Sequence, residues 1–406
     1  MCAAERAAGA ELVVLNTCTV TATADDDVRK AVLRMRRENP AANILVTGCY
    51  AQRAPLEIAS LPGVRWVVGN SHKTRIPEIL DDAPTAPYHG QIAMSEIHVG
   101  DIFEQHEFLA APVEDAGGDR TRPNLKIQDG CNNRCSFCII PYVRGRSRSA
   151  PIDQVLEQVR RLSERHREIV LSGINLGRWG RESGNAMRLA GLIRLLLEET
   201  NVERLRLSSI EPMDWSDDLL ELMAVSPRIA KHVHAPLQSG SDRVLRRMHR
   251  KYRPRHYEDR VRKARRRMPD AAIGADVMTG FPGETEAEFE ESRQFIEALP
   301  FTYLHVFTYS ERPGTPAAES RESVPMPVRK ERNRILRELA SRKNLEFRRA
   351  MIGRSLSAVT LEEGALTDNY IKIDLASPRP ANRLIDVEIG GLSESGLCEK
   401  NPLRVL

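Results

Sequence analysis

Cys131, Cys135 and Cys138 stand in the run Gly130-Cys131-Asn132-Asn133-Arg134-Cys135-Ser136-Phe137-Cys138. Three thiolates at this Cys-x3-Cys-x2-Cys spacing can hold three corners of a cubic 4Fe-4S cluster, which takes four cysteines when fully ligated. One iron is then left open to bind and activate another molecule. A structural zinc site wants a fourth Cys or His at ordinary spacing, and the nearest histidines, His106 and His166, lie well outside the motif. The spacing therefore favours an open iron–sulfur cluster over zinc. Two more cysteines, Cys18 and Cys49, each follow a short apolar run, Leu12-Val13-Val14-Leu15 and Ile44-Leu45-Val46-Thr47. If these runs are parallel strands, the loops after them emerge at one sheet edge, and both thiols face one crevice. Cys2 and Cys398 have no motif around them and read as plain thiols.

The elements that must carry these residues are legible in the hydrophobic rhythm. Two apolar runs, a helical stretch near residues 25–37 and a third run at Val64-Arg65-Trp66-Val67-Val68 predict a small parallel α/β layer. Residues 71–120 read as a weakly patterned connection punctuated by Pro84, Pro87, Gly90 and Gly117-Gly118. From Leu125 onward, strands are predicted at Leu125–Gln128, Ile169–Ser172, Leu205–Ser208, Val233–Pro236, Ile273–Met278 and Tyr303–Thr308. Helical segments separate most of them. In the first, Ile152, Val155, Leu156, Val159 and Leu162 recur at helical spacing, with Ser149 as cap and Pro151 in the first turn. Six strands with crossover helices predict an open, partial (β/α)6 barrel, whose chemistry gathers at the carboxyl ends of the strands. Polar loops, three of them containing glycine, follow four of these strands: Ser172-Gly173-Ile174-Asn175, Ser208-Ser209-Ile210-Glu211, Leu237-Gln238-Ser239-Gly240 and Gly280-Phe281-Pro282-Gly283. A long basic helix follows from about Arg329 to Arg349, then β-patterned segments at Leu356–Thr360, Tyr370–Leu375 and Leu384–Ile389, the signature of a small all-β module. The expected class is thus α/β, with domains over 1–118, 119–349 and 350–406.

Composition narrows the partners. No apolar run approaches the roughly 20 residues of a membrane span, and no secretory leader is visible. Cysteines clustered at metal spacing point to a reducing, cytoplasmic setting rather than a disulfide framework. Net charge is only +4, yet residues 243–267 carry +11 and residues 329–354 carry +7, offset by −14 elsewhere. Such segregation is the footprint of a protein that meets a polyanion. Arg246, Arg247, Arg250 and Lys251 are the candidate phosphate contacts of the first run.

The cysteine motif with its flanks, Leu125-Lys126-Ile127-Gln128-Asp129-Gly130 before and Ile139-Ile140-Pro141-Tyr142-Val143-Arg144-Gly145 after, resembles the radical S-adenosylmethionine methylthiotransferases. The resemblance implies that S-adenosylmethionine chelates the open iron and is cleaved reductively to a 5′-deoxyadenosyl radical, the cofactor supplying the radical chemistry. It places Phe137, Gly173, Asn175, Ser209, Glu211, Gln238 and Gly283 in the cofactor pocket or on the substrate face. Asn16-Thr17-Cys18 and Thr47-Gly48-Cys49-Tyr50-Ala51-Gln52 resemble the second and third cysteine motifs of the family's N-terminal domain, implying an auxiliary 4Fe-4S cluster. The family's first cysteine unit has no counterpart here. Either the chain starts inside that unit or the auxiliary cluster is one ligand short. The C-terminal segments, with Thr367-Asp368-Asn369-Tyr370, resemble the RNA-binding TRAM domain.

Within the family, Met248-His249-Arg250-Lys251-Tyr252 and the Thr367–Tyr370 stretch look most like the bacterial branch acting on N6-threonylcarbamoyladenosine (t6A) beside the anticodon of tRNA. The implied partners are an anticodon loop, whose bases can be splayed out of the stack, and an electron donor such as flavodoxin or ferredoxin, with no membrane. An aspartate methylthiotransferase of a ribosomal protein, and a non-catalytic RNA-binding protein with structural zinc, are the competing expectations.

Overall fold

The computed structural model describes residues 9–81, 95–110, 121–182, 184 and 187–401. Cys2 and the punctuation at Pro84, Pro87, Gly90, Gly117 and Gly118 lie outside the described residues. The chain divides into two compact units, one of Met1–Leu109, Gly130–Arg146 and Ser310–Ser320, the other of Ala110–Asp129, Ser147–Tyr309 and Arg321–Leu406.

The first unit is built on a parallel sheet. Its elements are β1 (Leu12–Thr17), α1 (Ala22–Glu38), β2 (Asn43–Gly48), α2 (Cys49–Arg53), α3 (Pro55–Ala59), β3 (Val64–Gly69), α4 (Ile76–Asp81), β4 (Glu96–His98) and α5 (Ile140–Arg144). Strand order is β1-β2-β3-β4. Alternation along β2 sends Ile44 and Val46 to one face, against Val28 and Val32 of α1, and Leu45 to the other, beside Trp66 and Ile79. Helix α1 starts at Thr21, whose hydroxyl accepts the Ala24 N–H at 3.2 Å. The stretch expected to be mere connection instead supplies α4 and the edge strand β4, paired parallel to β3 through Trp66, Val67 and Val68. Three residues are too few to show a period.

The second unit holds two mainly parallel sheets and a small closed barrel. It contains β5 (Asn124–Asp129), β6 (Arg148–Ser149), α6 (Ile152–Arg165), β7 (Glu168–Gly173), α7 (Leu189–Glu199), β8 (Arg204–Leu207), α8 (Asp217–Val225), β9 (His232–His234), α9 (Asp242–Arg247), α10 (Pro254–Arg267), β10 (Ala272–Thr279), α11 (Glu286–Ala298), β11 (Tyr303–Thr308) and α12 (Met326–Arg349). The sheets β6-β5-β7-β8 and β9-β10-β11 are linked by the bridge Leu205↔Ile229 and by the Ile210 N–H donating to the His234 carbonyl at 3.0 Å. The six expected strands thus follow one another as an open barrel. Ser149 does not cap α6: it pairs with β5, its hydroxyl accepts the Gly180 N–H at 2.9 Å, and Pro151 holds the cap position.

The same unit ends in a closed five-stranded barrel of β12 (Ser355–Thr360), β13 (Ala365–Thr367), β14 (Lys372–Asp374), β15 (Leu384–Leu392) and β16 (Leu397–Glu399), ordered β12-β13-β14-β16-β15. Leu356, Ala358, Ile373, Val387, Ile389 and Leu397 fill it. It is fastened to the starts of the (β/α) strands. Glu168 receives Arg206 at 2.7 Å and Arg122 at 3.0 Å, and Arg206 donates onward to the carbonyls of Thr367 and Asp368. Tyr370 stacks on His232 with centroids 4.4 Å apart, and the Asn369 amide donates to the Asp270 carbonyl. Burial alone would push the Glu168 carboxyl up, but Arg206 and then Arg122 outweigh it and hold it below the usual carboxylate range.

Candidate active site

Gly130 opens the cysteine loop at φ 69°, where an added Cβ would overlap the Arg146 carbonyl, so only glycine makes this turn without strain. The loop is closed by the Cys131 N–H donating to the Gly145 carbonyl and by a turn from the Cys138 N–H to the Cys135 carbonyl, both at 3.1 Å. Between the ligands, the Arg134 guanidinium lies over Phe103 and Tyr142, 5.5 and 5.9 Å from their centroids. The Ala317 N–H donates to the Ser136 carbonyl at 2.8 Å. All three cysteines and Phe137 are half-buried, and the Asn133 N–H points at the Cys131 sulfur at 3.4 Å. A fixed turn offering three sulfurs, one already receiving an amide N–H, fits a cluster with an open iron.

Register brings the other two cysteines together. β1 and β2 pair as Thr17↔Gly48, so Cys18 and Cys49 leave neighbouring strands at the same edge, as the strand pattern predicted. Gly48 sits at φ 101°, and any side chain there would press into the Thr17 backbone. Cys49 is buried, and its sulfur receives the Arg144 Nε–H at 3.0 Å and the Asn70 amide at 3.6 Å; Asn70 also donates to the Val143 carbonyl at 2.7 Å. The exposed Cys18 receives the Val20 N–H at 3.5 Å. A guanidinium and an amide aimed at a buried sulfur are the outer-shell donors expected of a metal-bound cysteine. Asn70 and Arg144 were not among the residues singled out from sequence. Asn70 follows β3 as Cys49 follows β2, the one signal that pointed to it.

In the second unit, the residues expected at the cofactor pocket lie at the carboxyl ends of the barrel strands. Gln238 adopts φ 66° and is buried, with its Oε1 lacking a partner among the described residues, as does the Ser208 hydroxyl. Asn175 donates its N–H to the Gln128 side chain at 2.6 Å, and Gly173 lies so close to Gln128 that a Cβ would collide with it. Ser209 is half-buried. Gly283 is a turn glycine at φ 72°, its N–H donating to the Glu322 carbonyl at 2.7 Å. Glu211 is taken up by Arg250 at 2.5 Å.

This last contact changes the reading of the basic run. Arg250 is 8% exposed, bonded to Glu211 and lying over Tyr252, so it cannot meet a phosphate without abandoning a half-buried carboxylate. Arg247 makes two bonds to Glu288 and one to the Gly283 carbonyl. Arg246, paired with Asp242 at the surface, and the exposed Lys251 are the members of the set presented outward.

On the inner face of the same barrel, His234 and His305 both donate to Asp276, at 3.1 and 3.2 Å. Burial raises the Asp276 carboxyl, but hydrogen bonds from the two imidazoles prevail and hold it far below its ordinary value.

The Radical SAM superfamily model matches residues 125–296, and the model for Uncharacterized protein family UPF0004 matches residues 1–69. The chain is 38% identical over 382 residues to the threonylcarbamoyladenosine tRNA methylthiotransferase MtaB of Aquifex aeolicus, covering 94% of this chain and 91% of that one. It is 40% identical to the same enzyme of Bacillus subtilis, covering 90% and 82%. It is 37% identical to the tRNA-2-methylthio-N(6)-dimethylallyladenosine synthase of Saccharopolyspora erythraea, covering 87% and 71%. Among solved structures, the radical S-adenosylmethionine methyltransferase TsrM of Kitasatospora setae aligns with a TM-score of 0.58 at 16% identity, over 77% of this chain and 67% of that one; that likeness is one of fold. Full-length identity at this level, with the cysteine loop directly after the first barrel strand, makes the chain a member of the radical S-adenosylmethionine methylthiotransferase family.

Proposed function

We propose that this protein methylthiolates carbon 2 of N6-threonylcarbamoyladenosine next to the anticodon of tRNA. The observation that carries the reading is the pairing of two sulfur sites, Cys131/Cys135/Cys138 after β5 and Cys18/Cys49 at one edge of a parallel sheet. It is supported by relatives that carry that enzyme name along nearly their whole length. Cys131, Cys135 and Cys138 would hold a 4Fe-4S cluster, which when bound would supply the one-electron reduction of S-adenosylmethionine that the reaction needs.

The chain's own contribution is positioning. Arg134, held over two aromatic rings, stiffens the loop that presents the three sulfurs. Arg144 and Asn70 set the environment of Cys49, where with Cys18 we place the auxiliary, sulfur-delivering cluster. Phe137, Gly173, Asn175, Ser209, Gln238 and Gly283 are assigned to the adenosyl cofactor or the base. Glu211 serves by fixing Arg250. A flavodoxin- or ferredoxin-like protein is the electron donor, and the setting is the cytoplasm. We place the domains at 1–118, 119–349 and 350–406, the last binding RNA.

Mass spectrometry of nucleosides from tRNA of a deletion strain tests the substrate. Loss of the methylthio form of threonylcarbamoyladenosine, restored by the wild-type gene but not by Cys135→Ala, is expected. Its persistence at normal level, or loss of the dimethylallyl form instead, would remove the assignment. In vitro, Cys135→Ala should abolish release of 5′-deoxyadenosine while tRNA affinity stays within about twofold, since phosphate contacts supply most of that affinity.

A further inference from the structure

Three neighbouring parallel strands of the second unit place polar side chains on the face opposite Val233, Ile273, Ala275, Val277 and Val306, which are buried. Gly274 pairs with His234 and with Tyr303, and Asp276 pairs with His305, so β9, β10 and β11 set the three side chains on one face, His305 opposite Asp276 and His234 two residues along. One ligand atom from each of His234, Asp276 and His305 lies within 4.8 Å of the others.

We propose that His234, Asp276 and His305 form a binding site for a divalent transition-metal ion of the zinc and ferrous-iron class, with a coordination position open to the barrel interior. Two imidazoles and a carboxylate are the donor set such ions prefer when part of the coordination sphere is left for another ligand. The site rests on this constellation, not on the methylthiolation assignment.

Three observations support it. Asp276 is three-quarters buried, at 24% side-chain exposure, and no Lys or Arg pairs with it: its side-chain partners among the described residues are the two histidines. A cation between the three groups would compensate that carboxylate. Next, the outer ring nitrogen of His234 is already held: the Tyr303 hydroxyl lies 2.8 Å from Nδ1 while Nε2 faces Asp276. Oriented by an outer-shell partner on one nitrogen and presenting the other is the usual condition of a ligating histidine. Finally, Tyr303 reaches this position because residue 274 is glycine, since any Cβ there would overlap its ring. Glycine inside a strand weakens it unless something must approach closely.

Recognition of an anion by the two histidines alone is the weaker reading, because Asp276 stands between them and would repel it. A bound cation removes that objection and would itself draw a carboxylate or hydroxyl oxygen to the open position.

The test uses anaerobically purified, cluster-loaded protein incubated with zinc chloride, desalted, and measured for zinc content and by zinc-edge X-ray absorption. Expected is one zinc per chain surrounded by nitrogen and oxygen at about 2.0–2.1 Å. That zinc should vanish in His305→Ala and Asp276→Asn while iron content and thermal midpoint are kept, and Tyr303→Phe should weaken it about 10- to 100-fold. No retained zinc, equal retention in the variants, or a sulfur shell near about 2.3 Å from cysteine binding would each overturn the site. Loss of methylthiolation is not part of the readout, so the two assignments can fail separately.

Discussion

Single side chains decide how the sulfur sites behave. Cys49 is buried with Arg144 3.0 Å from its sulfur; a charge-assisted N–H to a cluster sulfur shifts electron density off the metal and raises the reduction potential. Arg144→Met should therefore lower the potential of the proposed auxiliary cluster, read by an EPR-monitored redox titration, while the cluster on Cys131, Cys135 and Cys138 keeps its own potential. Unchanged potentials would mean that the guanidinium plays only a packing role. Gly48 offers a second residue-scale test. At φ 101°, with the Thr17 backbone against it, Gly48→Ala should cost about 1–3 kcal/mol in strain and displace Cys49. A lowered melting temperature together with reduced iron content is the expected result.

Among the elements, the contact between β7, β8 and the turn after β13 is the most exacting. Glu168 is fully buried and satisfied by Arg206 and Arg122, and Arg206 in turn holds the Thr367 and Asp368 carbonyls. Removing one member of a buried charge network leaves the rest uncompensated, at about 3–5 kcal/mol. Glu168→Ala should accordingly lower the thermal midpoint of the second unit by several degrees and speed proteolysis within residues 350–401. The pair also sets an acid limit. Because the folded carboxyl titrates below the ordinary glutamate value of about 4.3, its stabilisation is fully present above that value. It is lost as pH falls through the lower, folded one. Glu168→Gln should flatten this acid limb of a stability-versus-pH curve; an unaltered limb would show that other carboxylates govern it. The Thr367-Asp368-Asn369-Tyr370 stretch is thus a docking turn against the (β/α) strands.

For the molecule as a whole, the question is which basic residues meet RNA. Both charged runs were visible in composition, but local charge does not say which cations are already spoken for. Arg250 and Arg247 face Glu211 and Glu288, whereas Arg246 and Lys251 are on the surface. Replacing Arg246 and Lys251 by Gln should weaken tRNA binding and flatten the slope of log K against log salt by about 0.7–0.9 per lost phosphate contact. Arg250→Gln should instead lower stability with little change in that slope. Equal slopes for both variants and wild type would move the RNA surface elsewhere, α12 being the next candidate.

Some features needed nothing but chain order. The Cys-x3-Cys-x2-Cys spacing, the strand runs of both units and the helical stripe of α6 are properties of near neighbours, whose geometry the backbone period alone sets. The adjacency of Cys18 and Cys49 also followed, because parallel pairing puts successive strand ends side by side. Partners distant in sequence were out of reach. Arg144 on Cys49, Glu211 on Arg250 and Tyr370 on His232 depend on how helices and loops far apart in sequence pack together, and the meeting of His234, Asp276 and His305 depends on strand register. A one-residue shift in pairing would turn His234, Asp276 or His305 to the opposite face of its sheet. Packing of the complete core selects that register, and no local pattern encodes it.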